Sequence, residues 1–417
     1  MKFFRLNEGC FIVDGTESSC IYNTISGQMI TVNNQIANIL KKCECNEDIS
    51  NIDSYTYNIL LNLQKLNVGN FYKKPIYIEK LTTYDVSKIE AFSKSNFEIK
   101  DLFIELTNKC NIDCIFCGKN DSTLFRKTGC KRWPLNELNI RIDRLKEIIY
   151  QAKNIGCENI FFTGGEPLLE WNYIKELVTY SKKIGIKNNT ILTNGLMLND
   201  EIINFFNKNE VKLIIQIYSF NNEIYKKITG KDDLASILIK NIKKLKHHNI
   251  NFSLNLLVNK FNENNIEDTL KEYSHIVNGY EKSNISMEYI YPNGGNEFYS
   301  NKYYKNMLDK TKSLSKVYLN NLFSNKNKHN CYGYQLAITG DGQVLPCIMS
   351  RNIILGNIFK DDLIDILKKK EYKEVASITK DSINKCNKCE LKYGCFDCRA
   401  LEQSASGDLY GIKYCNR

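Results

Sequence analysis

The sequence predicts an α/β fold whose main domain is a partial barrel of six strand–helix units. Strand-like and helix-like segments alternate six times between Asp101 and about Pro292, a pattern typical of a parallel sheet. Residues 1–75 instead contain short alternating runs followed by two amphipathic helices, and the carboxyl-terminal region is rich in cysteine. We therefore expect domains at 1–75, 101–292 and 331–417, joined by linkers at 76–100 and 293–330.

The amino-terminal domain is predicted to be a meander of three strands followed by two helices. Asp14-Gly15 and Ser26-Gly27 mark turns between the strands, and Gly69 marks a stop after the second helix. The strand candidates are Cys10–Val13, Ser19–Tyr22 and Gln28–Val32, and the helix candidates are Asn34–Lys42 and Tyr55–Leu66.

The central domain has six strand candidates separated by helical patterns. The strands are predicted at Leu102–Thr107, Asn159–Thr163, Thr190–Thr193, Lys212–Ile217, Asn251–Val258 and Ser286–Tyr291. The helices between them are predicted to start near Asn136, Trp171, Asp200, Leu234 and Asn265. Chemistry in such sheets is found at the carboxyl ends of the strands.

Three cysteines follow the first of these strands with the spacing C-x3-C-x2-C: Cys110, Cys114 and Cys117. A loop of this kind can bind three irons of a cubane iron–sulfur cluster through thiolates and leave the fourth iron open. A structural zinc site is the alternative. Zinc usually takes four ligands in two close pairs, whereas the next cysteine here is Cys130 and no histidine is near.

Seven more cysteines lie in the last 87 residues: Cys331, Cys347, Cys386, Cys389, Cys395, Cys398 and Cys415. Their density indicates a metal site. Cys386, Cys389, Cys395 and Cys398 alone would suit a four-thiolate zinc site, but one zinc would leave three thiols unexplained. Iron–sulfur clusters account for the whole set.

A further motif, Gly164-Gly165-Glu166-Pro167, follows the second strand. Glycines allow a close approach of the backbone to a ligand, and Glu166 can accept a charge-assisted hydrogen bond from an ammonium group. Because it has both this motif and the C-x3-C-x2-C loop, the sequence resembles the radical S-adenosylmethionine (SAM) enzymes. Enzymes of that family have a partial (β/α)6 barrel. The resemblance implies a SAM-binding [4Fe-4S] cluster at Cys110, Cys114 and Cys117. The residues it implies for SAM binding are Phe116, Gly164, Gly165, Glu166, Pro167, Asn194 and Ser219.

The carboxyl-terminal cysteines resemble the SPASM extension of radical SAM enzymes, with two rather than three residues between Cys395 and Cys398. That resemblance implies two auxiliary [4Fe-4S] clusters. The first would be bound by Cys331, Cys347 and Cys398, and the second by Cys386, Cys389, Cys395 and Cys415. The two clusters would contain eight irons but have only seven cysteine ligands, so one iron would lack a cysteine. Cys130 is either an eighth ligand, a hydrogen-atom donor or a shielded thiol.

The amino-terminal domain resembles the winged-helix-like module with which peptide-modifying enzymes bind the leader of a precursor peptide by strand addition. A generic α+β cap on the barrel is the alternative. The combined resemblance implies a peptide maturase in which one electron from the cluster cleaves SAM to methionine and a 5′-deoxyadenosyl radical, which removes a hydrogen atom from the peptide. We predict a thioether crosslink as the product, because an open auxiliary iron can bind a substrate thiolate. The sequence assigns no catalytic residue.

Other functions remain as alternatives. They are a carbon–carbon crosslinking peptide maturase, an enzyme like the anaerobic sulfatase maturases, a small-molecule radical SAM dehydrogenase, or an electron carrier without catalysis. The carrier leaves Gly164-Gly165-Glu166-Pro167 unexplained. Binding of a peptide by residues 1–75 would separate the maturase from the other enzymes.

Composition sets the expected partners and location. The net charge of +10 is distributed as single and paired lysines, without the basic and aromatic runs of a nucleic-acid surface. Apolar runs are too short to cross a membrane, and the amino terminus lacks a signal peptide, so we expect a cytoplasmic protein. A reductant such as flavodoxin or ferredoxin would supply electrons to the radical SAM cluster.

Iron content tests the three-cluster prediction. Anaerobic reconstitution should give roughly 11 to 12 iron atoms per chain. Changing Cys110, Cys114 and Cys117 together to Ala should remove about a third of that iron and all reductive SAM cleavage. Continued formation of 5′-deoxyadenosine by the triple variant, assayed by chromatography, would show that the cluster assignment is wrong.

Overall fold

A computed structural model describes residues 2–81, 99–117, 140–277, 284–292, 297–311 and 313–415. The chain divides into two compact units. The first consists of Met1–Asn96, Lys312–Asn330 and Ser377–Asp397, and the second of Phe97–Thr311, Cys331–Ala376 and Cys398–Arg417. The predicted domain boundaries at 75, 100, 292 and 330 stay predictions.

The strands of the described residues are β1 (Phe3–Leu6), β2 (Cys10–Asp14), β3 (Ser18–Asn23), β4 (Gln28–Asn33), β5 (Gly69–Tyr72), β6 (Asp101–Thr107), β7 (Asn159–Gly164), β8 (Asn188–Thr193), β9 (Lys212–Ile217), β10 (Phe252–Val258), β11 (Ile285–Tyr289), β12 (Ser313–Leu314), β13 (Gln335–Ile338), β14 (Gln343–Leu345), β15 (Gly356–Asn357) and β16 (Cys395–Phe396).

The α-helices of the described residues are α1 (Asn34–Glu44), α2 (Ser54–Lys65), α3 (Ile142–Asn154), α4 (Trp171–Lys183), α5 (Asp200–Asn209), α6 (Asn222–Thr229), α7 (Leu234–His247), α8 (Ile266–Ile276), α9 (Tyr304–Thr311), α10 (Leu319–Asn327), α11 (Leu363–Lys368), α12 (Lys370–Ala376) and α13 (Arg399–Ser406). Short 3₁₀ helices span Pro167–Glu170 and Cys386–Lys388. None of the helices in the described ranges is long and apolar enough to cross a membrane.

The second unit contains a nine-stranded sheet in the order β11-β10-β9-β8-β7-β6-β13-β14-β15. Strands β6 to β11 pair in parallel with their neighbours, and helices separate them along the chain. This confirms the predicted α/β class and the six strands. The helix start predicted near Asn136 lies outside the described residues, and helix α6 was not predicted. Because the strands are parallel, all six carboxyl ends lie along one edge of the sheet.

Strands β13, β14 and β15 extend this sheet beside β6, a feature that the sequence analysis did not predict. Strand β13 pairs in parallel with β6, and β14 and β15 follow as antiparallel neighbours. An ion pair between Arg351 and the buried Glu105 links the extension to β6. Both guanidinium nitrogens Nη1 and Nη2 of Arg351 donate to the Glu105 carboxylate, at 3.1 and 2.9 Å, and the backbone N–H of Gly340 donates to it at 3.1 Å.

The first unit begins with the predicted meander β2-β3-β4 and also contains the antiparallel pair β1-β5, which was not predicted. The side chains of Asn33 and Asp53 cap α1 and α2 by accepting hydrogen bonds from backbone N–H groups. The prediction of Gly69 as a helix stop is wrong, because α2 ends at Lys65 and Gly69 opens β5. A Cβ at Gly69 would lie 2.5 Å from the ring of Phe4, so this strand start requires glycine.

Two later segments of the chain fold with the meander in the first unit. Cys20, Tyr22, Val317, Leu322, Leu391 and Tyr393 form one buried apolar cluster. The Tyr22 hydroxyl donates to the backbone O of Glu390 at 2.9 Å, and β12 pairs with β16. The cysteine-bearing segment 386–395 therefore packs on the amino-terminal strands.

Candidate functional site

The predicted cluster loop begins where β6 ends, at the carboxyl edge of the parallel sheet. The β6–β7 register shifts between Glu105 and Thr107, so a bulge redirects the chain immediately before the cysteines. Cys114 is buried, and Cys110 and Cys117 are half-buried. The Cys117 N–H donates to the Cys114 carbonyl at 2.9 Å, which makes a tight turn between two of the predicted ligands.

The glycine motif packs against this loop. A Cβ on Gly164 would lie 2.3 Å from the carbonyl oxygen of Thr107, and Gly164 has a φ of +145°. The N–H of Gly165 donates to that same oxygen at 2.8 Å, and the N–H of Glu166 donates to the carbonyl of Lys109 at 2.8 Å. Gly164 therefore allows the close approach of two backbones, a role that the sequence analysis had given to ligand contact.

Glu166 is fully buried and accepts three hydrogen bonds. The donors are the Thr193 hydroxyl at 2.7 Å, the Asn194 N–H at 2.9 Å and the Leu168 N–H at 3.0 Å. Burial raises the pKa of this carboxyl group from 4.5 to about 7, although the three hydrogen bonds favour the charged form. A buried carboxylate with N–H and O–H donors on one side is suited to receive a cationic ligand group.

Asn194 connects this carboxylate to the cysteine loop. Its Nδ2 donates to Asn111 Oδ1 at 2.7 Å and lies 3.9 Å from the Cys110 sulfur, while its own N–H donates to Glu166. Pro167 follows Glu166 as the first residue of a 3₁₀ helix that Glu166 caps. The structure therefore brings together the predicted residues Cys110, Gly164, Gly165, Glu166, Pro167 and Asn194.

Aromatic side chains also pack at the loop, around Cys114 and Phe116. Phe116 is buried and makes an edge-to-face contact with Tyr218, with ring centroids 5.5 Å apart. Tyr218 is the first residue after β9, and its hydroxyl oxygen lies 3.1 Å from the Cys114 sulfur. The Ile115 N–H donates to the carbonyl of Ile228 at 2.9 Å, so α6 also holds the loop.

Ser219 lies on the same strand end but is bonded to a neighbouring helix start. Its hydroxyl donates to Asn265 Oδ1 at 2.6 Å and accepts from the Asn221 N–H at 2.9 Å. The side chain is fully buried. Contact of Ser219 with SAM stays a prediction.

The first predicted auxiliary set is close together in the second unit. A hydrogen bond between Cys331 and Cys347 raises the pKa of Cys331 and lowers the pKa of Cys347, and burial adds to the increase at Cys331. The charge of Cys398 also raises the pKa of Cys331. The side chains of Cys331, Cys347 and Cys398 therefore interact with one another.

The second predicted auxiliary set belongs to both units. Cys386, Cys389 and Cys395 lie in the first unit, and Cys415 lies in the second. The Cys389 N–H donates to the Cys386 carbonyl at 3.0 Å, and Cys395 opens β16. Cys395 lines a cavity with His329 and with the half-buried ion pair of Lys380 and Asp397.

The chemistry of these residues fits the implied groups. Three cysteines on one loop with a buried hydroxyl against one sulfur suit a thiolate-bound cluster, and the buried Glu166 suits an ammonium. Over the ranges that the structure describes, no three His, Cys, Asp or Glu side chains converge as they would on a single metal ion. A cubane cluster differs from a single-ion site such as zinc, because its thiolates bind separate irons.

Comparison with known proteins identifies the domains. Residues 104–273 match the radical SAM superfamily, and residues 331–390 match SPASM, an iron–sulfur cluster-binding domain. The chain is therefore a radical SAM protein with a SPASM domain. These domains imply SAM and iron–sulfur clusters as cofactors.

Relatives of known name agree with this assignment. The chain is 26% identical to the radical SAM cyclopropyl synthase TigE of Paramaledivibacter caminithermalis over 412 residues, which cover 89% of this chain and 84% of that protein. A GTP 3′,8-cyclase of Clostridium perfringens is 25% identical over 194 residues, which cover 46% of this chain and 55% of the cyclase.

Two solved proteins share the fold at low identity. Streptococcus suis SuiB with bound S-adenosylmethionine aligns over the full length of both chains, with a TM-score of 0.53 and 15% identity. The protein anSMEcpe with bound AdoMet and the Kp18Cys peptide covers 75% of this chain and 93% of its own, with a TM-score of 0.55 and 17% identity.

Three residues that contribute to the site are not among the predicted site residues. Thr193 holds Glu166, Asn111 holds Asn194, and Tyr218 contacts Cys114. Thr193 and Tyr218 follow the rule that polar side chains at the carboxyl ends of parallel strands line the site, which could have identified them. Asn111 carries no signal of its own.

The pKa of Glu166 predicts how SAM binding depends on pH. Because the folded pKa is about 7 and the ordinary value is 4.5, the folded state keeps this proton up to neutral pH, and the carboxylate costs stability as the pH rises through that window. An ammonium ligand favours the ionised form. We expect SAM affinity of the cluster-loaded protein to rise by up to about tenfold per pH unit below pH 7 and to level off above it.

Isothermal titration calorimetry between pH 6 and 8 measures this dependence. Glu166→Gln should weaken SAM binding at pH 8 and flatten the profile, while Glu170→Gln, four residues further along, serves as the control and should keep it. Equal pH profiles for the wild type and Glu166→Gln would contradict the assigned role of Glu166.

Proposed function

We propose that this protein is a radical SAM/SPASM peptide maturase that modifies a ribosomally made precursor peptide. The observation that carries the proposal is the placement of the Cys110–Cys117 loop against the buried Glu166 at the carboxyl edge of the sheet, in a chain that also has a SPASM domain. SuiB, which aligns over the full length of this chain, has been solved bound to its precursor peptide SuiA. That likeness supports a peptide as the substrate.

The roles of the residues follow from their positions. Cys110, Cys114 and Cys117 would hold a [4Fe-4S] cluster, and Glu166 would receive the SAM ammonium. Bound together, the cluster and SAM supply a 5′-deoxyadenosyl radical. The chain itself fixes the geometry: Thr193 and Asn194 orient the carboxylate of Glu166.

The apolar side of the site would protect a reactive intermediate from water. Phe116 and Tyr218 are buried against the cysteine loop, and Phe298 packs edge-on against Phe116 with centroids 6.2 Å apart. Closing a site with such side chains expels water and prevents side reactions. Cys331, Cys347 and Cys398, together with Cys386, Cys389, Cys395 and Cys415, would hold two auxiliary clusters and bring the total to three.

The bond formed in the peptide is either a thioether or a carbon–carbon bond. A thioether follows if an open iron at Cys331, Cys347 and Cys398 binds and ionises a substrate cysteine. Two observations favour a carbon–carbon bond instead. TigE, which matches 89% of this chain, is named a cyclopropyl synthase. The first auxiliary set also lies near the amino end of β6, because Cys331 precedes β13, whose residue Gln335 pairs with Asp101, and Cys347 follows β14, whose residue Leu345 pairs with Ala337 of β13. The proposed SAM-binding loop instead follows the carboxyl end of β6.

The length of β6 sets the distance between the first auxiliary set and the proposed SAM-binding loop. Strand β6 has seven residues and spans about 20 Å at roughly 3.3 Å per residue. A substrate thiol bound at the first auxiliary set would therefore lie far from a radical formed beside Glu166, unless the peptide itself bridges this length.

Mass spectrometry of the matured peptide tests the function and the bond. Incubation of the reduced, cluster-loaded protein with SAM and the precursor should give a peptide that has lost two hydrogen atoms per crosslink. Iodoacetamide then separates the candidates, since a thioether blocks its cysteine and a carbon–carbon bond leaves every cysteine alkylatable. A peptide that remains unmodified while SAM is cleaved would exclude peptide maturation of that precursor.

We also propose that the precursor leader binds as an added strand on β4. This strand pairs on one side with β3, and its residues are exposed or half-buried. Strand addition at such an edge gives affinity through backbone hydrogen bonds. A shortened protein that starts near residue 90 is a poor test, because it would remove Tyr22 and its partners from the packed segment 386–395.

Photocrosslinking tests the leader site in the full chain. The photoreactive residue p-benzoylphenylalanine in place of Thr31, an exposed residue of β4, should crosslink to the leader peptide. The matched control replaces Gln64, an exposed residue of α2, and should not crosslink. Equal yields at the two positions would contradict leader binding at β4.

A further inference from the structure

Tyr218 lies where a side chain can act directly on the predicted SAM-binding cluster. Its hydroxyl oxygen is 3.1 Å from the Cys114 sulfur, within hydrogen-bond distance for sulfur. Both residues are buried, with exposed fractions of 3% and 6%. A thiolate has no proton, so once Cys114 binds iron the Tyr218 hydroxyl must be the donor of this hydrogen bond.

The tyrosine is held in place by Asn262 and Tyr225, which lie outside the cysteine loop, as well as by Phe116 within it. Its backbone carbonyl accepts a hydrogen bond from Asn262 Nδ2 at 2.7 Å. Its ring packs edge-on against Phe116, and against Tyr225 with centroids 5.4 Å apart. A donor fixed in this way loses little conformational entropy when the hydrogen bond forms.

A second side-chain donor near the loop makes a weaker contact with sulfur. Asn194 Nδ2 is 3.9 Å from the Cys110 sulfur but 2.7 Å from Asn111 Oδ1, so its proton is directed to the asparagine. Tyr218 thus makes the shorter of these two sulfur contacts.

We propose that Tyr218 is a positioning residue that donates a hydrogen bond to the Cys114 thiolate and raises the reduction potential of the SAM-binding cluster. This inference rests on the proposed function, since it requires Cys114 to be a cluster ligand. A hydrogen bond to a ligating sulfur withdraws electron density and stabilises the reduced, more negative cluster. The hydroxyl thereby makes the electron transfer that precedes radical formation easier for a given reductant.

Loss of the Tyr218 hydroxyl should change the reduction potential of the cluster and leave its assembly unchanged. Tyr218→Phe keeps the ring contacts with Phe116 and Tyr225 and removes the hydroxyl. We expect this variant to bind as much iron as the wild type and to show a more negative midpoint potential. At a fixed reductant potential it should form 5′-deoxyadenosine more slowly. The matched control is Tyr225→Phe, which removes a hydroxyl from the adjacent ring and leaves the Tyr218–Cys114 contact intact.

The experiment is an anaerobic redox titration of the full-length, cluster-loaded proteins, monitored by electron paramagnetic resonance. The SAM-binding cluster is recognised as the signal that changes when SAM is added, which separates it from the auxiliary clusters. Electron–nuclear double resonance in H₂O and D₂O should show one exchangeable proton coupled to this cluster in the wild type and in Tyr225→Phe. That proton should be absent in Tyr218→Phe.

Two results would overturn the inference and leave the proposed function standing. One is an unchanged potential in Tyr218→Phe with the SAM-responsive signal present. The other is an equal negative shift in Tyr218→Phe and Tyr225→Phe, which would indicate a packing effect. A wild-type protein without any SAM-responsive cluster would overturn the proposed function, and the inference with it.

Discussion

The close approach of two backbones at Gly164 is the constraint on which the site depends. The Thr107 carbonyl oxygen would lie only 2.3 Å from a Cβ at residue 164, and the same oxygen accepts a hydrogen bond from the Gly165 N–H. Any larger residue would separate β6 from β7 at the bulge that directs the cysteine loop. The position of Glu166 relative to that loop follows from this contact, since its N–H bonds to Lys109 in the loop.

Two kinds of interaction then hold the loop and the buried carboxylate beside it. On the polar side, Thr193 and Asn194 satisfy a fully buried carboxylate that would otherwise be costly in the folded state. The apolar contacts come from the buried rings of Phe116 and Tyr218. The proposed cluster would need both, because its ligand carries charge and a radical product must be kept from water.

The amino-terminal strands are part of a larger folded unit that includes later segments of the chain. Tyr22 and Tyr393 belong to one apolar cluster, so the meander and the segment that contains Cys386, Cys389 and Cys395 form one folded body. Mutations in the buried face of the meander are therefore expected to disturb that cysteine segment as well. Substitutions on the exposed surface of β4 are therefore the appropriate test of the proposed leader binding, because they leave the cysteine segment undisturbed.

The sequence by itself determined the six-stranded parallel sheet and the position of the motifs at its carboxyl edge. Strand–helix alternation and parallel strands leave little freedom in where the loops meet. It did not determine that β13 pairs with β6, that Gly69 opens a strand, or that Tyr218 reaches Cys114. Each of these depends on contacts between residues distant in the chain, which periodicity and motif spacing do not encode. Only the tertiary structure decided them.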